Sequence, residues 1–159
     1  TDTNDYIKAP ADTNASDYGC SLSDVNSDFG TMATCSFNIR YALSATPPGT
    51  NPDNYGLQIK ITNGATVLAA ADSGGTFSTA VASTTSMSTT FANTGATAFA
   101  YVNTSADKST WDGAVVTIRQ TYTKNGGGDV HSVYVSAFEI TGTYTVFSTP
   151  KMLALLGVG

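Results

Sequence analysis

The fold class of this chain is decided by the stretch CSFNIRYAL at residues 35–43. Its odd-numbered positions are all apolar, and its even-numbered positions are mostly polar. Because successive side chains of a β-strand point to opposite faces, this alternation predicts a strand that is buried on one face. Cys35 takes an inward position in that strand, where a thiol acts as a small hydrophobic side chain. This position favours free thiols, with a disulfide between Cys35 and Cys20 as the alternative.

A second alternating segment, LQIKIT at residues 57–62, is followed by Asn63-Gly64 and then by TVLA at residues 66–69. Asn-Gly is favoured in two-residue hairpin turns because both residues tolerate a positive φ. Together these segments predict a β-hairpin with its turn at Asn63-Gly64.

Further strand signals follow along the chain. Residues 72–96 are rich in Ser and Thr with isolated apolar anchors, which favours two short strands and a loop. Residues 105–110 are expected to form a loop, and residues 116–122 alternate again. The last long strand is expected over residues 130–141, with a phase slip near Ala137 that indicates a β-bulge.

The strand signals number eight to ten, recur every 10–15 residues or so, and leave no helix between them. This spacing predicts an all-β protein, an antiparallel two-sheet sandwich with a jelly roll as the expected topology. A sandwich of this size fits one domain, which we place at residues 1–149.

Residues 150–159 differ in composition from the rest, because Pro150-Lys151 is followed by the apolar run MLALLGVG. This run is too short to span a bilayer, which takes about 20 residues. It either folds back onto its own sandwich or packs as an arm on a neighbouring subunit or partner, for example as an added strand. We treat it as an extended C-terminal arm.

The chain carries little charge. Charged residues make up 12% of it, about half of the usual fraction in soluble domains, and the formal net charge is −5. Its basic residues are scattered, so the sequence offers no positive patch for nucleic-acid phosphates. Neither a nucleic acid nor a membrane is expected as a partner. Such a surface suits a protein that is covered by neighbouring subunits.

The sequence offers few candidates for catalysis. His131 is the only histidine, so one chain cannot supply a metal site with two histidines. A Ser–His–Asp triad would need Asp129 or Ser132 beside His131, yet neighbours on a strand point to opposite faces. We therefore expect no enzyme and no cofactor.

The alternative expectation is a bound calcium ion. Asp2, Asn4 and Asp5 cluster near the start, and Asp53 stands next to Asn54. Carboxylate and amide oxygens in loops are typical Ca²⁺ ligands. The same residue types are also the commonest turn residues, which is the interpretation we prefer.

Trp111 supports an alternative function. It stands in the polar context Ser109-Thr110-Trp111-Asp112-Gly113, which is expected to be a loop. An exposed Trp beside an Asp could stack on a sugar ring, so a carbohydrate-binding β-sandwich module is the competing hypothesis. The same Trp would equally suit a core lid or a subunit contact.

Four segments carry a resemblance to a known family. They are NDYIKAP at residues 4–10, CSFNI at residues 35–39, the hairpin at residues 57–69 and VYVSAFEI at residues 133–140. In this order they resemble a β-sandwich module that is widespread in virion proteins of tailed bacteriophages. The likeness spans about residues 4–145 and carries no catalytic residues.

The resemblance implies a structural protein located in the virion, either a capsid decoration (cement) protein or a tail accessory protein that stabilises the particle. Its implied partners are other copies of itself, with a trimer as the hypothesis, and the major capsid or tail protein. The residues that we expect to make these contacts lie in two segments near the ends of the chain: Tyr6, Ile7, Pro10, Met152, Leu153, Leu155, Leu156 and Val158.

Overall fold

Two antiparallel β-sheets pack against each other in the computed structural model of this chain, which describes residues 6–8, 10–11, 14–45, 53–84, 87–125 and 131–147. This arrangement confirms the predicted all-β sandwich. Within the described residues there are eleven strands and one short helix. The elements are β1 (Ile7–Lys8), β2 (Ser16–Ser21), β3 (Phe29–Leu43), β4 (Asn54–Asn63), β5 (Thr66–Ala70), β6 (Ala82–Ser83), β7 (Ala92–Asn93), β8 (Thr97–Ala98), β9 (Tyr101–Val102), α1 (Lys108–Asp112), β10 (Val115–Thr123) and β11 (Val133–Val146).

The two sheets are named here after their last strands. The β11 sheet has the order β1-β11-β3-β7, and β8 also pairs with β3. The β10 sheet has the order β2-β10-β4-β5-β9, and β6 also pairs with β4. Strands β3 and β11 pair in one sheet, and β4 and β10 pair in the other. The chain therefore passes from one sheet to the other between β3 and β4, and again between β10 and β11. Strands β10 and β11 therefore take corresponding places in their sheets.

The core lies between the sheets and follows the alternation seen in the sequence. In β3, Phe37 and Ile39 are 1% and 0% exposed, whereas their neighbours Ser36 and Asn38 are only half-buried. Apolar side chains of β4 and β10 complete this core from the other sheet. They are Leu57, Ile59, Ile61, Val116 and Ile118.

The strand count exceeds the expected eight to ten because β1 and β6 to β9 have only two residues each. Pairings this short leave no alternating pattern in a sequence. Strands β6 and β7 are the two short strands expected within residues 72–96. The prediction of a loop over residues 105–110 is wrong for its second half, which is helical because α1 begins at Lys108. In the described part of the chain, no helix is long and apolar enough to cross a membrane.

The predicted hairpin is formed by β4 and β5, but its turn lies one residue later than expected. Asn63 pairs with Thr66, so Gly64 and Ala65 form the turn. Gly64 has a φ of +54°, a conformation that glycine adopts without a steric penalty. The bulge between Ile61 and Thr62 shifts the register and with it the turn.

The phase slip near Ala137 is confirmed as a register shift in β11 between Val135 and Ala137. The extra residue moves the inward positions of β11 from odd to even numbers. Phe138 and Ile140 consequently continue the core face that Val135 begins.

Candidate functional site: the open edge of strand β11

Strand β11 is paired along both sides for only a small part of its length. On one side it pairs with β3 from Val133 to Val146. On the other side it pairs with β1, where Ile7 and Lys8 lie opposite Val135 and Tyr134. Within the described residues, the edge of β11 from 136 to 146 has no neighbouring strand. An uncovered edge of this kind presents backbone N–H and C=O groups to any strand that can add to it.

A cleft of about 360 Å³ lies beside this edge, and we call it the edge cleft. Its walls combine apolar core side chains with polar groups of the loop between β2 and β3. The residues that line it are Leu22, Ser23, Asp24, Val25, Asn26, Phe29, Met32, Cys35, Trp111, Ile140, Thr141, Gly142 and Tyr144.

The cleft marks where the sandwich is incompletely closed. Phe138, Ile140 and Tyr144 of β11 pack against the core but remain half-buried. The corresponding inward residues of β10, Val116 and Ile118, are 1% and 3% exposed. Apolar surface at the open edge is therefore left partly in contact with water, where its burial would be favourable.

Helix α1 places Trp111 at the cleft. The Asp107 carboxylate accepts a hydrogen bond of 3.0 Å from the Thr110 backbone N–H, which caps the helix and turns Trp111 inward. Trp111 is 2% exposed, and its ring centroid lies 6.3 Å from that of Phe29. The polar context expected to be a loop is instead a capped helical turn, and the burial of Trp111 agrees with the core role that the sequence also allows. No face of its indole is available as a platform for a sugar ring.

The indole Nε1 of Trp111 is buried and has no hydrogen-bond partner among the described residues. A buried donor without an acceptor costs about 1–3 kcal/mol. Within the described part of the chain, the core beside the edge cleft therefore contains one unsatisfied donor.

The mouth of the cleft is held by a contact between α1 and the loop at Val25. Asp112 Oδ1 accepts a hydrogen bond from the Val25 N–H at 3.0 Å, and Lys108 Nζ donates to the Val25 carbonyl at 3.1 Å. Lys108 Nζ also lies 2.7 Å from Asp112 Oδ2. The hydrogen bond from Lys108 lowers the pKa of Asp112 and keeps it ionised. The loop is thus fixed by both its backbone donor and its backbone acceptor.

Both cysteines are free, so the disulfide alternative is wrong. Cys20 is exposed on β2, whereas Cys35 is buried on β3 in the other sheet. Burial raises the pKa of Cys35 to about 11, and the hydrogen bond with the Ser36 backbone only partly offsets it. Cys35 therefore acts at the cleft as a small apolar group, as its place in the strand predicts.

The N-terminal residues predicted for partner contact lie partly on their own sandwich. The Tyr6 ring stacks on Tyr134 with centroids 4.3 Å apart, and the Pro10 carbonyl accepts a hydrogen bond from Gln120 at 3.2 Å. Tyr6 and Ile7 are still 39% and 45% exposed. The arm residues predicted for the same role lie outside the described residues: Met152, Leu153, Leu155, Leu156 and Val158.

Two exposed apolar residues were not predicted from the sequence. Val146 and Phe147, at the end of β11, are 62% and 64% exposed. The signal was available, because they directly precede the segment that leads into the apolar arm. Together with Tyr6 and Ile7 they place exposed apolar groups near both ends of the β11 edge.

The candidate calcium residue Asp53 has a structural role in this fold. It is fully buried, and its carboxylate accepts hydrogen bonds from the Tyr122 hydroxyl at 2.9 Å and the Asn125 N–H at 2.6 Å. Its neighbour Asn54 is exposed. The part of the chain that the structure describes holds no cluster of three His, Cys, Asp or Glu side chains suited to a metal. Asp2, Asn4 and Asp5 lie outside it.

His131 is a buried side chain that packs close to Tyr55 at the start of β4. It is 7% exposed, and its ring centroid lies 5.6 Å from that of Tyr55. Ser132, the next residue, is also buried, and its N–H donates to the Ser44 hydroxyl at 2.9 Å. Asp129, the third member considered for a triad, lies outside the described residues.

Comparisons with known proteins return no relatives. No family model matches the chain, and neither a curated protein nor a solved structure matches it significantly.

Proposed function

We propose that this chain is a structural protein that works by assembly, binding other copies of itself and a larger protein particle. The observation that carries this proposal is the combination of the open β11 edge with four exposed apolar side chains near its ends. Those side chains are Tyr6, Ile7, Val146 and Phe147. Exposed apolar groups beside a free strand edge promote aggregation of a monomeric protein, whereas in a protein that assembles they are buried in the contact.

The charge of the chain supports the same proposal. Because only 12% of the residues are charged, few charged groups have to be desolvated when copies come together. At the β11 edge, Glu139 is the only acidic side chain between residues 136 and 146. Copies can therefore approach along this edge without a large accumulation of like charge.

The particle that we propose is a virion, and the chain would be a capsid decoration protein or a tail accessory protein of a tailed bacteriophage. Support for this part comes from the resemblance of four segments to virion β-sandwich modules. The competing carbohydrate-binding function would need an aromatic side chain other than Trp111, which is 2% exposed.

Assembly is tested by measuring the native mass of the purified full chain. We expect a homo-oligomer, with a trimer as the hypothesis, and a shift to monomers for Phe147→Asp. The matched control is Thr66→Asp, an exposed residue at the start of β5 in the other sheet, which should leave the mass unchanged. A wild-type chain that remains a monomer at every concentration would contradict the proposal.

The virion location is tested on purified phage particles from the source of the chain. We expect the chain at a fixed ratio to the major capsid or tail protein. Deleting residues 150–159 should abolish this association while the circular dichroism of the sandwich stays unchanged. Unchanged occupancy of the truncated chain on particles would reject the role of the arm, and absence of the full chain from particles would reject the location.

A further inference from the structure

We infer that the open edge of β11 and the edge cleft receive the C-terminal arm of a second copy of this chain as an added strand. This inference rests on the proposed function and specifies the surface through which the copies bind. The open edge is the acceptor, and residues 151–158 of the neighbouring copy are the donor. Each copy offers both parts, so the same contact can be repeated from copy to copy.

The lengths of donor and acceptor are compatible. The open edge runs over residues 136–146, and the donor segment runs over residues 151–158. At roughly 3.3 Å per residue, the edge extends for about 36 Å and the donor for about 26 Å. The donor can therefore follow most of the open edge, and residues 148–150 are left to connect it to its own sandwich.

The apolar pattern of the arm indicates that both of its faces are covered. Met152, Leu156 and Val158 fall on one face of an extended strand, while Leu153 and Leu155 fall on the other. Strands that are buried on both faces have such continuous apolar sequences, whereas strands with one exposed face alternate. One apolar face can cover the half-buried Phe138, Ile140 and Tyr144, which pack against the core from one side only.

The second apolar face favours a neighbouring copy as the source of the arm. The outer face of β11 presents the exposed polar residues Glu139, Thr141 and Thr143. An arm that folded back onto its own β11 would continue this polar face with leucines exposed to water. When the arm comes from a second copy, the body of that copy comes with it and can cover both these outer leucines and the exposed Val146 and Phe147 of the acceptor.

The open edge also offers backbone groups to an incoming strand. On the side away from β3, no described strand pairs with residues 136–146 of β11, so their N–H and C=O groups are available for main-chain hydrogen bonds. Added strands gain most of their affinity from such main-chain hydrogen bonds, and pockets for alternate side chains add specificity.

Disulfide cross-linking in the full chain tests this arrangement. The parent variant is Cys20→Ser, which removes the exposed native thiol and leaves the buried Cys35. Thr141→Cys marks the outer face of the open edge, and single cysteines replace residues 152 to 156 of the arm one at a time. After mild oxidation, we expect covalent dimers and larger species on a non-reducing gel. They should form at alternate arm positions, because only every second side chain of an added strand lies on the same face of the sheet as the thiol introduced by Thr141→Cys.

The control replaces Thr141→Cys with Thr66→Cys, an exposed residue at the start of β5 in the β10 sheet. Cross-linking there should be several-fold weaker at every arm position. Equal yields at the two sites, or equal yields along the whole arm, would reject an added strand at the β11 edge.

The remaining outcomes separate this inference from the proposed function. A cross-link within one chain, seen as a monomer whose mobility changes on reduction, would show that the arm folds back and would reject the second copy as its source. An oligomer without any link between the arm and Thr141→Cys would reject this inference and leave assembly intact. A monomer without links would reject both.

Discussion

Strands β10 and β11 are neighbours in sequence and occupy corresponding places in the two sheets, yet their surroundings differ. Residues Val115–Gln120 of β10 pair with β2 on one side and with β4 on the other. Most of β11 pairs with β3 alone within the described residues. The inward residues Val116, Ile118 and Gln120 of β10 are buried, whereas Phe138, Ile140 and Tyr144 of β11 are half-buried. The difference shows that β10 has a paired strand on both sides, whereas the edge of β11 can still accept an additional strand.

The largest expected effect comes from shortening one inward side chain on each strand. Ile118→Ala should lower the free energy of unfolding by about 2–5 kcal/mol, because it leaves a cavity in a closed core. Ile140→Ala, at the half-buried edge, should cost only about 1 kcal/mol. Urea unfolding followed by circular dichroism, at a concentration where the chain is monomeric, measures both. Equal losses would mean that the β11 edge is already covered in the monomer.

The next effect compares the thiols on the strands that flank β10 and β11. An unfolded thiol ionises near pH 8.5, whereas burial raises the pKa of Cys35 to about 11. Between these two pH values the folded state keeps a proton on Cys35 that the unfolded state loses. The contribution of the thiol to the free energy of unfolding is therefore fully present below pH 8.5 and is lost as the pH rises to 11. We expect wild type to lose roughly 2 kcal/mol more than Cys35→Ala over that range.

The control for the alkaline effect is Cys20→Ala on β2, where the exposed thiol should leave the pH dependence of wild type unchanged. Unfolding curves at several pH values between 8 and 11 provide the measurement. If Cys35→Ala and wild type lost the same stability, the thiol at the edge cleft would be open to water.

A smaller effect is expected on the outer faces of the two strands. On β10, Arg119 binds Asp17 of β2 through two hydrogen bonds of 2.6 and 2.7 Å, and its guanidinium lies 4.1 Å from the Phe77 ring centroid. The hydrogen bond to Asp17 raises the pKa of Arg119, so the guanidinium stays charged. Arg119→Met should cost about 1 kcal/mol at low salt and less at high salt, as measured by urea unfolding at the two salt concentrations. Glu139→Gln on β11 serves as the comparison, and an equal loss there would contradict the difference between the faces.

The smallest effect concerns the link between β11 and its single long neighbour. The hydroxyls of Thr143 and Thr34 lie 2.7 Å apart across β11 and β3, at an exposed position. Thr143→Ala should lower the free energy of unfolding by only a few tenths of a kcal/mol, because water replaces the lost partner. Thermal unfolding measures the change. A loss comparable to that of Ile118→Ala would show that side-chain pairing, and not the core, holds β11 in place.

The parts of the fold that can be predicted from the sequence are strands with one face buried in the core and the other exposed to solvent. Residues 35–43 alternate because β3 lies between a core and solvent, and the phase slip at Ala137 is visible because it interrupts such an alternation. The hairpin turn lies one residue later than the Asn-Gly signal predicts, since a bulge at Leu68, opposite Ile61 and Thr62, changes the register without changing the composition.

The candidate site is harder to predict because it depends on which strands lie next to each other. No pattern in residues 136–146 tells that their second edge is free, since strand order is set by the whole topology. The helix that carries Trp111 is missed because Ser, Thr, Asp and Gly around it are typical of loops. The better signal is Asp107 three residues before Thr110 together with Lys108 and Asp112 four residues apart, which is typical of a capped helical turn.

Trp111 is the only tryptophan of the chain, and it lines the edge cleft with its indole N–H unpaired among the described residues. When the protein is excited at wavelengths that tyrosine does not absorb, its intrinsic fluorescence therefore comes from one position, next to the surface that we propose for binding. A hydrogen bond to this N–H, or the removal of water from the cleft, changes the emission of this one indole. The fluorescence emission of Trp111 can therefore be used to follow assembly in solution without an added label.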